Sequence, residues 1–204
     1  RHENKTKHLS FGLSSFYLLY QSSSSITPLS KQMRNLFPIF MLITNLAFND
    51  NNNSNNIINT TCRATTNYPL CLTTLHSDPR TSEAEGADLT TLGLVMVDAV
   101  KLKSIEIMKS IKKLEKSNPE LRLPLSQCYI VYYAVLHADV TVAVEALKRG
   151  VPKFAENGMV DVAVEAETCE FSFKYNGLVS PVSDMNKEII ELSSVAKSII
   201  RMLL

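Results

Sequence analysis

Apolar residues recur every three or four positions along four long stretches of the chain. This spacing is typical of one face of an α-helix and predicts four amphipathic helices. They cover about residues 85–117, 120–148 and 152–174, and the fourth begins at Ser180-Pro181. The apolar rows are Leu89, Leu92, Met96, Ala99, Ile107, Ile111 and Leu114; Leu121, Leu125, Cys128, Tyr132, Val135, Val142 and Ala146; Met159, Val162, Ala163, Ala166, Cys169 and Phe173; and Val182, Met185, Ile189, Leu192, Val195, Ile199 and Met202.

The breaks between these stretches consist of residues that end or begin helices. Asn118-Pro119 and Gly150 end the first two stretches, and Ser180-Pro181 offers the fourth an N-cap and a first-turn proline. Short connections between amphipathic helices predict an all-α, antiparallel up-and-down four-helix bundle. Residues 57–79, which contain two cysteines, predict one or two short helices in an N-terminal hairpin that precedes the bundle.

The first 56 residues have a different composition. Met33-Arg34 is followed by an apolar run that extends to Phe48, which predicts a secretory signal peptide at 33–48. The run is too short and too interrupted to span a bilayer, so we expect no stable membrane association. Residues 1–32 are an upstream extension of unknown status to which we assign no function, and residues 49–56 form an Asn-rich spacer.

Four cysteines, Cys62, Cys71, Cys128 and Cys169, all follow the predicted leader. An even number in a secreted chain predicts two disulfides, and proximity favours Cys62–Cys71 and Cys128–Cys169 among the three possible pairings. No CxxC pair or nearby histidine has the spacing of a zinc site, so we expect no metal. Asn52 and Asn59 begin the sequons Asn-Asn-Ser and Asn-Thr-Thr and are predicted glycosylation sites.

The charge balance argues against nucleic acid as a partner. Residues 1–48 hold five basic and one acidic side chain, which leaves 16 basic and 19 acidic side chains after them. A mildly acidic, mixed surface lacks the basic face with which proteins bind phosphate backbones.

No arrangement of residues predicts catalysis or a bound cofactor. The histidines after the leader, His76 and His137, accompany no candidate nucleophile, and the chain has no phosphate-binding glycine loop or His-Glu-x-x-His motif. His137 is interpreted as a partly exposed helix residue. The acidic side chains of the third helix do not all share one face, which is typical of a solvated surface; they are Asp161, Glu165, Glu167 and Glu170. We therefore expect a binding protein and not an enzyme.

The segment 150–159 lies between the second and third predicted helices. Gly150 and Pro152 fit the end of one helix and the start of the next. On that interpretation alone, Lys153 is solvated and Phe154 packs into the core. Other motifs along the chain give the segment a second interpretation.

Those motifs occur in one order and spacing over about residues 57–204. They are Thr61-Cys62, Asn67-Tyr68-Pro69-Leu70-Cys71, Leu75-His76-Ser77-Asp78-Pro79-Arg80, Ala87-Asp88-Leu89-Thr90-Thr91-Leu92, Leu125-Ser126-Gln127-Cys128, Thr168-Cys169-Glu170, Ser180-Pro181, Asn186, Leu192 and the final residues 199–204. Together they resemble the plant invertase and pectin methylesterase inhibitor superfamily. The resemblance implies a four-helix bundle behind an N-terminal helical hairpin, with the disulfide pairing that proximity favours.

Within that superfamily, Pro152-Lys153-Phe154 resembles the invertase-inhibitor branch. The resemblance implies that Pro152, Lys153 and Phe154 bind a plant acid invertase, a glycoside hydrolase, by inserting into its sucrose-hydrolysing active site. It also implies secretion to the cell wall, with the vacuole as the alternative, and we expect a monomer when the inhibitor is free. The alternatives are inhibition of pectin methylesterase and a non-inhibitory helical interaction protein.

Overall fold

The computed structural model describes residues 56–81 and 87–204. Every regular element in these residues is helical. The upstream extension 1–32, the predicted signal peptide, Asn52 and the spacer as far as residue 55 lie outside the described residues, and residue 56 is helical.

Two short helices form the N-terminal hairpin, α1 at 56–63 and α2 at Tyr68–His76. The side chain of Asn67 caps α2 by accepting a hydrogen bond from the Leu70 N–H at 3.1 Å, and Pro69 lies in its first turn. The Cys62–Cys71 disulfide joins the two helices, as predicted. A 3₁₀ turn at Pro79–Thr81 follows, and its Arg80 pairs with Asp78 and Asp98.

Four long helices form the bundle: α3 (Leu89–Ser117), α4, α5 (Pro152–Tyr175) and α6 (Ser183–Arg201). Helix α4 is composed of Arg122–Ala134, a π-helical turn at Val135–Asp139 and Val140–Lys148, and the 3₁₀ turn Pro119–Leu121 precedes it. Helices α3 and α5 each pack against α4 and α6, which is consistent with the predicted up-and-down order.

A polar network lies inside the bundle beside the second disulfide, Cys128–Cys169, which joins α4 to α5. The Tyr132 hydroxyl donates to Asn186 Oδ1 at 2.6 Å, and Asn186 Nδ2 donates to Glu170 at 2.5 Å. Each of these polar groups has a hydrogen-bond partner, so burying them costs little free energy. The network also connects α4, α5 and α6. Glu170 is therefore a structural residue and not part of a solvated acidic row.

The π-helical turn corrects one prediction about the core. The regular spacing placed Val142 on the inward row of α4, but Val142 is 48% exposed while Val140 and Ala143 are buried. A π turn contains one extra residue, which rotates every later side chain by about 100° about the helix axis. The inward row of α4 after this turn is therefore shifted by one position.

Two predicted helix starts are also wrong. Helix α3 begins at Leu89, where the Asp88 side chain accepts from the Thr91 N–H at 2.7 Å, and not near residue 85. Helix α6 begins at Ser183 and not at Ser180-Pro181. The Ser180 hydroxyl instead accepts from the Val182 N–H at 3.3 Å, so it closes a turn before the helix.

By length and composition alone, the helical stretch Pro119–Lys148 would be able to cross a membrane. Core helices of bundles satisfy the same criteria, and Leu125, Cys128 and Tyr132 of this stretch are fully buried among the other helices.

Candidate functional site

The turn between α4 and α5 places the predicted contact residues. Gly150 has a φ of 68°, and two hydrogen bonds close the end of α4: Gly150 N–H to Leu147 O at 3.1 Å and Val151 N–H to Ala146 O at 2.9 Å. This pair of bonds is a Schellman motif, which ends a helix with a residue in the left-handed conformation. The prediction that Gly150 ends the second helix is thus confirmed.

Pro152, Lys153 and Phe154, the contact segment, form the first turn of α5. Proline is favoured at this position because it lacks the backbone N–H that any other residue would leave without a helical partner. The Lys153 side chain is 64% exposed and Phe154 is 61% exposed, so Phe154 does not pack into the core. The segment therefore presents an amine and an aromatic ring to solvent from a regular helical turn.

Sequence analysis did not identify the charged group beneath this segment. Glu156 is 2% exposed, and its carboxylate accepts from Lys153 Nζ at 2.6 Å and from Arg201 Nη2 at 2.5 Å and Nε at 2.7 Å. The hydrogen bonds to Lys153 and Arg201 hold the pKa of the Glu156 carboxyl below its ordinary value. The i, i+3 spacing of Lys153 and Glu156 could have indicated that pair, whereas no sequence signal indicated Arg201.

Other cations lie at the same end of the bundle. Lys148 and Arg149, at the end of α4, share Glu145 as their acidic partner at 3.8 and 3.6 Å. Lys153 and Arg201 are two further cations beside them. These side chains are suited to contact acidic groups on a partner.

The acidic side chains of α5 have different surroundings. Asp161 and Glu165 lie close enough to Asp139 on α4 to repel its carboxylate, whereas Glu170 joins the polar network. Burial is the main cause that raises the pKa of Asp139 to about 6, and repulsion from Asp161 and Glu165 adds to it. Helices α4 and α5 approach each other closely at Asp139, where a Cβ on Gly158 would be 2.8 Å from the Asp139 carbonyl oxygen.

The remaining predicted residues assemble no catalytic group. His76 and His137 are exposed, and His137 lies against Tyr133 with 4.1 Å between ring centroids. In the part of the chain that the structure describes, no cluster of three potential metal ligands occurs. Asn59 is partly buried and accepts from the Tyr68 hydroxyl at 3.0 Å; its glycosylation stays a prediction.

The fold and this site define a disulfide-closed helical bundle that presents a rigid contact segment at one end. The family "Plant invertase/pectin methylesterase inhibitor" matches residues 56–199, and the chain belongs to this family. Its members are named inhibitors, which confirms the expectation that the chain is not an enzyme.

Individual relatives agree with this assignment. The chain is 39% identical over 143 residues to "Cell wall / vacuolar inhibitor of fructosidase 1" of Arabidopsis thaliana, covering 70% of this chain and 67% of that protein. In fold it is similar to two crystal structures of a pectin methylesterase inhibitor from Arabidopsis, one of them a mutant form. Their TM-scores are 0.60 for the mutant and 0.54 for the other, each at 22% identity, covering 72% and 73% of this chain and 97% of each solved chain.

Proposed function

We propose that this chain inhibits a plant acid invertase, with Lys153 and Phe154 entering the active site that hydrolyses sucrose. The observation that carries the proposal is the exposure of Phe154 beside Lys153 in the first turn of α5. An exposed aromatic residue next to a cation, on a rigid element, is a common composition for a binding hot spot. The name of the Arabidopsis thaliana relative, an inhibitor of fructosidase, supports the choice of target.

The chemistry of the target suits this segment. A retaining glycoside hydrolase has two carboxyl groups that flank the scissile bond. The Lys153 ammonium would form charge-assisted hydrogen bonds with such groups, and the Phe154 ring would fill the volume of a sugar. Pro152 and the helical turn hold both side chains in place before binding, which lowers the loss of conformational entropy on association.

Titration of purified cell-wall and vacuolar acid invertases with the oxidised protein tests this proposal. We expect stoichiometric loss of sucrose hydrolysis, and we expect Lys153→Ala and Phe154→Ala each to weaken inhibition by about 30-fold, equivalent to about 2 kcal/mol. Phe171→Ala is the matched control, because Phe171 is 60% exposed on the same helix and far from the contact segment.

Two outcomes would contradict the proposal. Full inhibition by the Lys153→Ala, Phe154→Ala double variant would make the segment merely structural. Absence of invertase inhibition together with inhibition of pectin methylesterase in a parallel assay would move the chain to the other activity in the family name.

We also infer that the inhibitor reaches the cell wall as a monomer, with the vacuole as the alternative destination. The predicted signal peptide at 33–48 and the two disulfides support a secretory route. Expression in plant cells with a fluorescent tag at the C-terminus, followed by plasmolysis, would distinguish wall from vacuole. Sedimentation of the purified protein would measure its oligomeric state.

A further inference from the structure

A buried carboxylate lies directly under the contact segment. Glu156 occupies the inward side of α5 between Ala155 and Met159, which are both fully buried. An ionised carboxylate at such a position requires compensating charge and hydrogen bonds. The two cations that supply them, Lys153 and Arg201, are themselves about two-thirds exposed and cover the carboxylate from the solvent side.

The two carboxylate oxygens of Glu156 serve different partners. Oε2 accepts from Lys153 Nζ alone, whereas Oε1 accepts both bonds from the Arg201 guanidinium. Arg201 is the last residue of α6, so its two bonds also join the end of α6 to the start of α5. If Lys153 leaves Oε2, the carboxylate still has its charge partner on Oε1.

We propose that Glu156 and Arg201 are positioning residues for Lys153. Glu156 restrains the ammonium group on its flexible four-carbon stem, so the group is oriented before it meets an acidic partner. The ammonium has three N–H donors, so it can keep its bond to Glu156 while it donates to the partner's carboxyl groups. Arg201 supplies the second counter-charge that Glu156 needs once the ammonium is shared. Without Arg201, sharing Lys153 with a partner would leave the buried carboxylate incompletely neutralised, which opposes binding. This inference rests on the proposed function for its second step.

Two variants of the full chain separate these roles. In Glu156→Gln, Lys153 loses its restraint; we expect its acylation by a succinimidyl ester, followed by mass spectrometry, to be about fivefold faster than in the wild type. In Arg201→Leu, Lys153 keeps Glu156, so its acylation rate should not increase. Both variants should inhibit invertase about tenfold more weakly, the equivalent of one charge-assisted hydrogen bond. Arg201→Lys should recover part of the inhibition.

Glu106→Gln is the matched control, because Glu106 forms an i, i+3 ion pair with Lys103, like that of Glu156 with Lys153, but lies on α3 away from the contact segment. It should change neither measurement. A simple loosening of the fold would increase Lys153 acylation in Glu156→Gln and Arg201→Leu alike, and that result would overturn the proposal. Unchanged acylation in Glu156→Gln, or inhibition by Arg201→Leu equal to the wild type, would also overturn it.

The acylation measurement requires no enzyme. If the wild-type protein fails to inhibit invertase, the proposed function is wrong. The acylation rates of Lys153 in the wild type and in Glu156→Gln still decide whether Glu156 restrains it.

Discussion

Gly150 determines where α4 ends and therefore how the contact segment is oriented. Its φ of 68° is unfavourable for residues with a Cβ. A Cβ at this position would meet no atom within 4 Å, so an alanine here would strain the backbone without a steric clash.

We expect Gly150→Ala to lower the free energy of unfolding by about 1 kcal/mol, measured by urea denaturation. Gly93→Ala is the control, because its Cβ would make ordinary contacts at 3.5 Å or more with Leu147 and Ile200 and because alanine favours a helix interior. A Gly150→Ala protein as stable as the wild type would show that the turn tolerates a side chain.

Asp139 makes stability depend on pH. Its pKa is raised from 3.8 to about 6, so the folded protein binds a proton there more tightly than the unfolded chain. The stabilising contribution is complete below pH 3.8 and is lost as the pH rises through about 6. At neutral pH, the ionised group is repelled by Asp161 and Glu165.

Asp139→Asn should therefore stabilise the protein by about 1 kcal/mol at pH 7.5 and by much less at pH 4, after allowance for solvent screening. Thermal unfolding of both proteins at the two pH values measures this difference. Glu167→Gln, at an exposed position on α5, is the control for replacing an acidic side chain by its amide. An equal gain at both pH values would show that ionisation of Asp139 is not the cause.

The sequence predicted the geometry of the candidate site only in part. It located the turn that carries the contact segment, because Gly150 and Pro152 are local signals, and the contact role of the segment stays a prediction. It missed the pair of Glu156 and Arg201, which are 45 positions apart and are brought together only when α5 packs against α6. A long-range ion pair of this kind has no local pattern.

At the scale of elements, the apolar spacing predicted all four bundle helices because each buries one continuous face. The π turn of α4 could not be predicted in this way. It occurs where the Asp139 backbone faces Gly158, so a contact between helices accompanies the change in helical register. Periodicity within α4 alone carries no information about that contact.

The register after the π turn can be measured with two valines of the same helix. Val140 is 2% exposed and Val142 is 48% exposed. We expect Val140→Ala to cost about 2 kcal/mol of unfolding free energy and Val142→Ala less than about 0.5 kcal/mol. If α4 kept regular α-helical spacing, Val142 would be buried and Val142→Ala would cost more unfolding free energy than Val140→Ala. Chemical denaturation of the two variants decides between the two registers.

Two disulfides that close loops of different length stabilise the molecule. Cys62 and Cys71 are nine positions apart in the sequence, and Cys128 and Cys169 are 41 positions apart. Loop-closure entropy predicts stabilisation by about 3 kcal/mol for the shorter and about 4 kcal/mol for the longer. The longer bridge lies at the opposite end of α4 and α5 from the contact segment.

We expect the Cys128→Ala, Cys169→Ala variant to unfold at a lower temperature than the Cys62→Ala, Cys71→Ala variant, as measured by calorimetry. Inhibition of invertase by the folded fraction should change by less than about threefold in the first variant, because the contact turn is held by its own backbone bonds. A complete loss of inhibition in a variant that is still folded would contradict this separation of stability from binding.

The exposure of Phe154 has a practical consequence for spectroscopy. The chain contains no tryptophan, and Phe154 lies at the surface in a rigid turn. A Phe154→Trp protein grown with fluorinated tryptophan would thus carry a single fluorine reporter at the contact segment. Its resonance would be free of signals from any unlabelled partner, so docking, release and competition by sugars could be followed directly in a mixture.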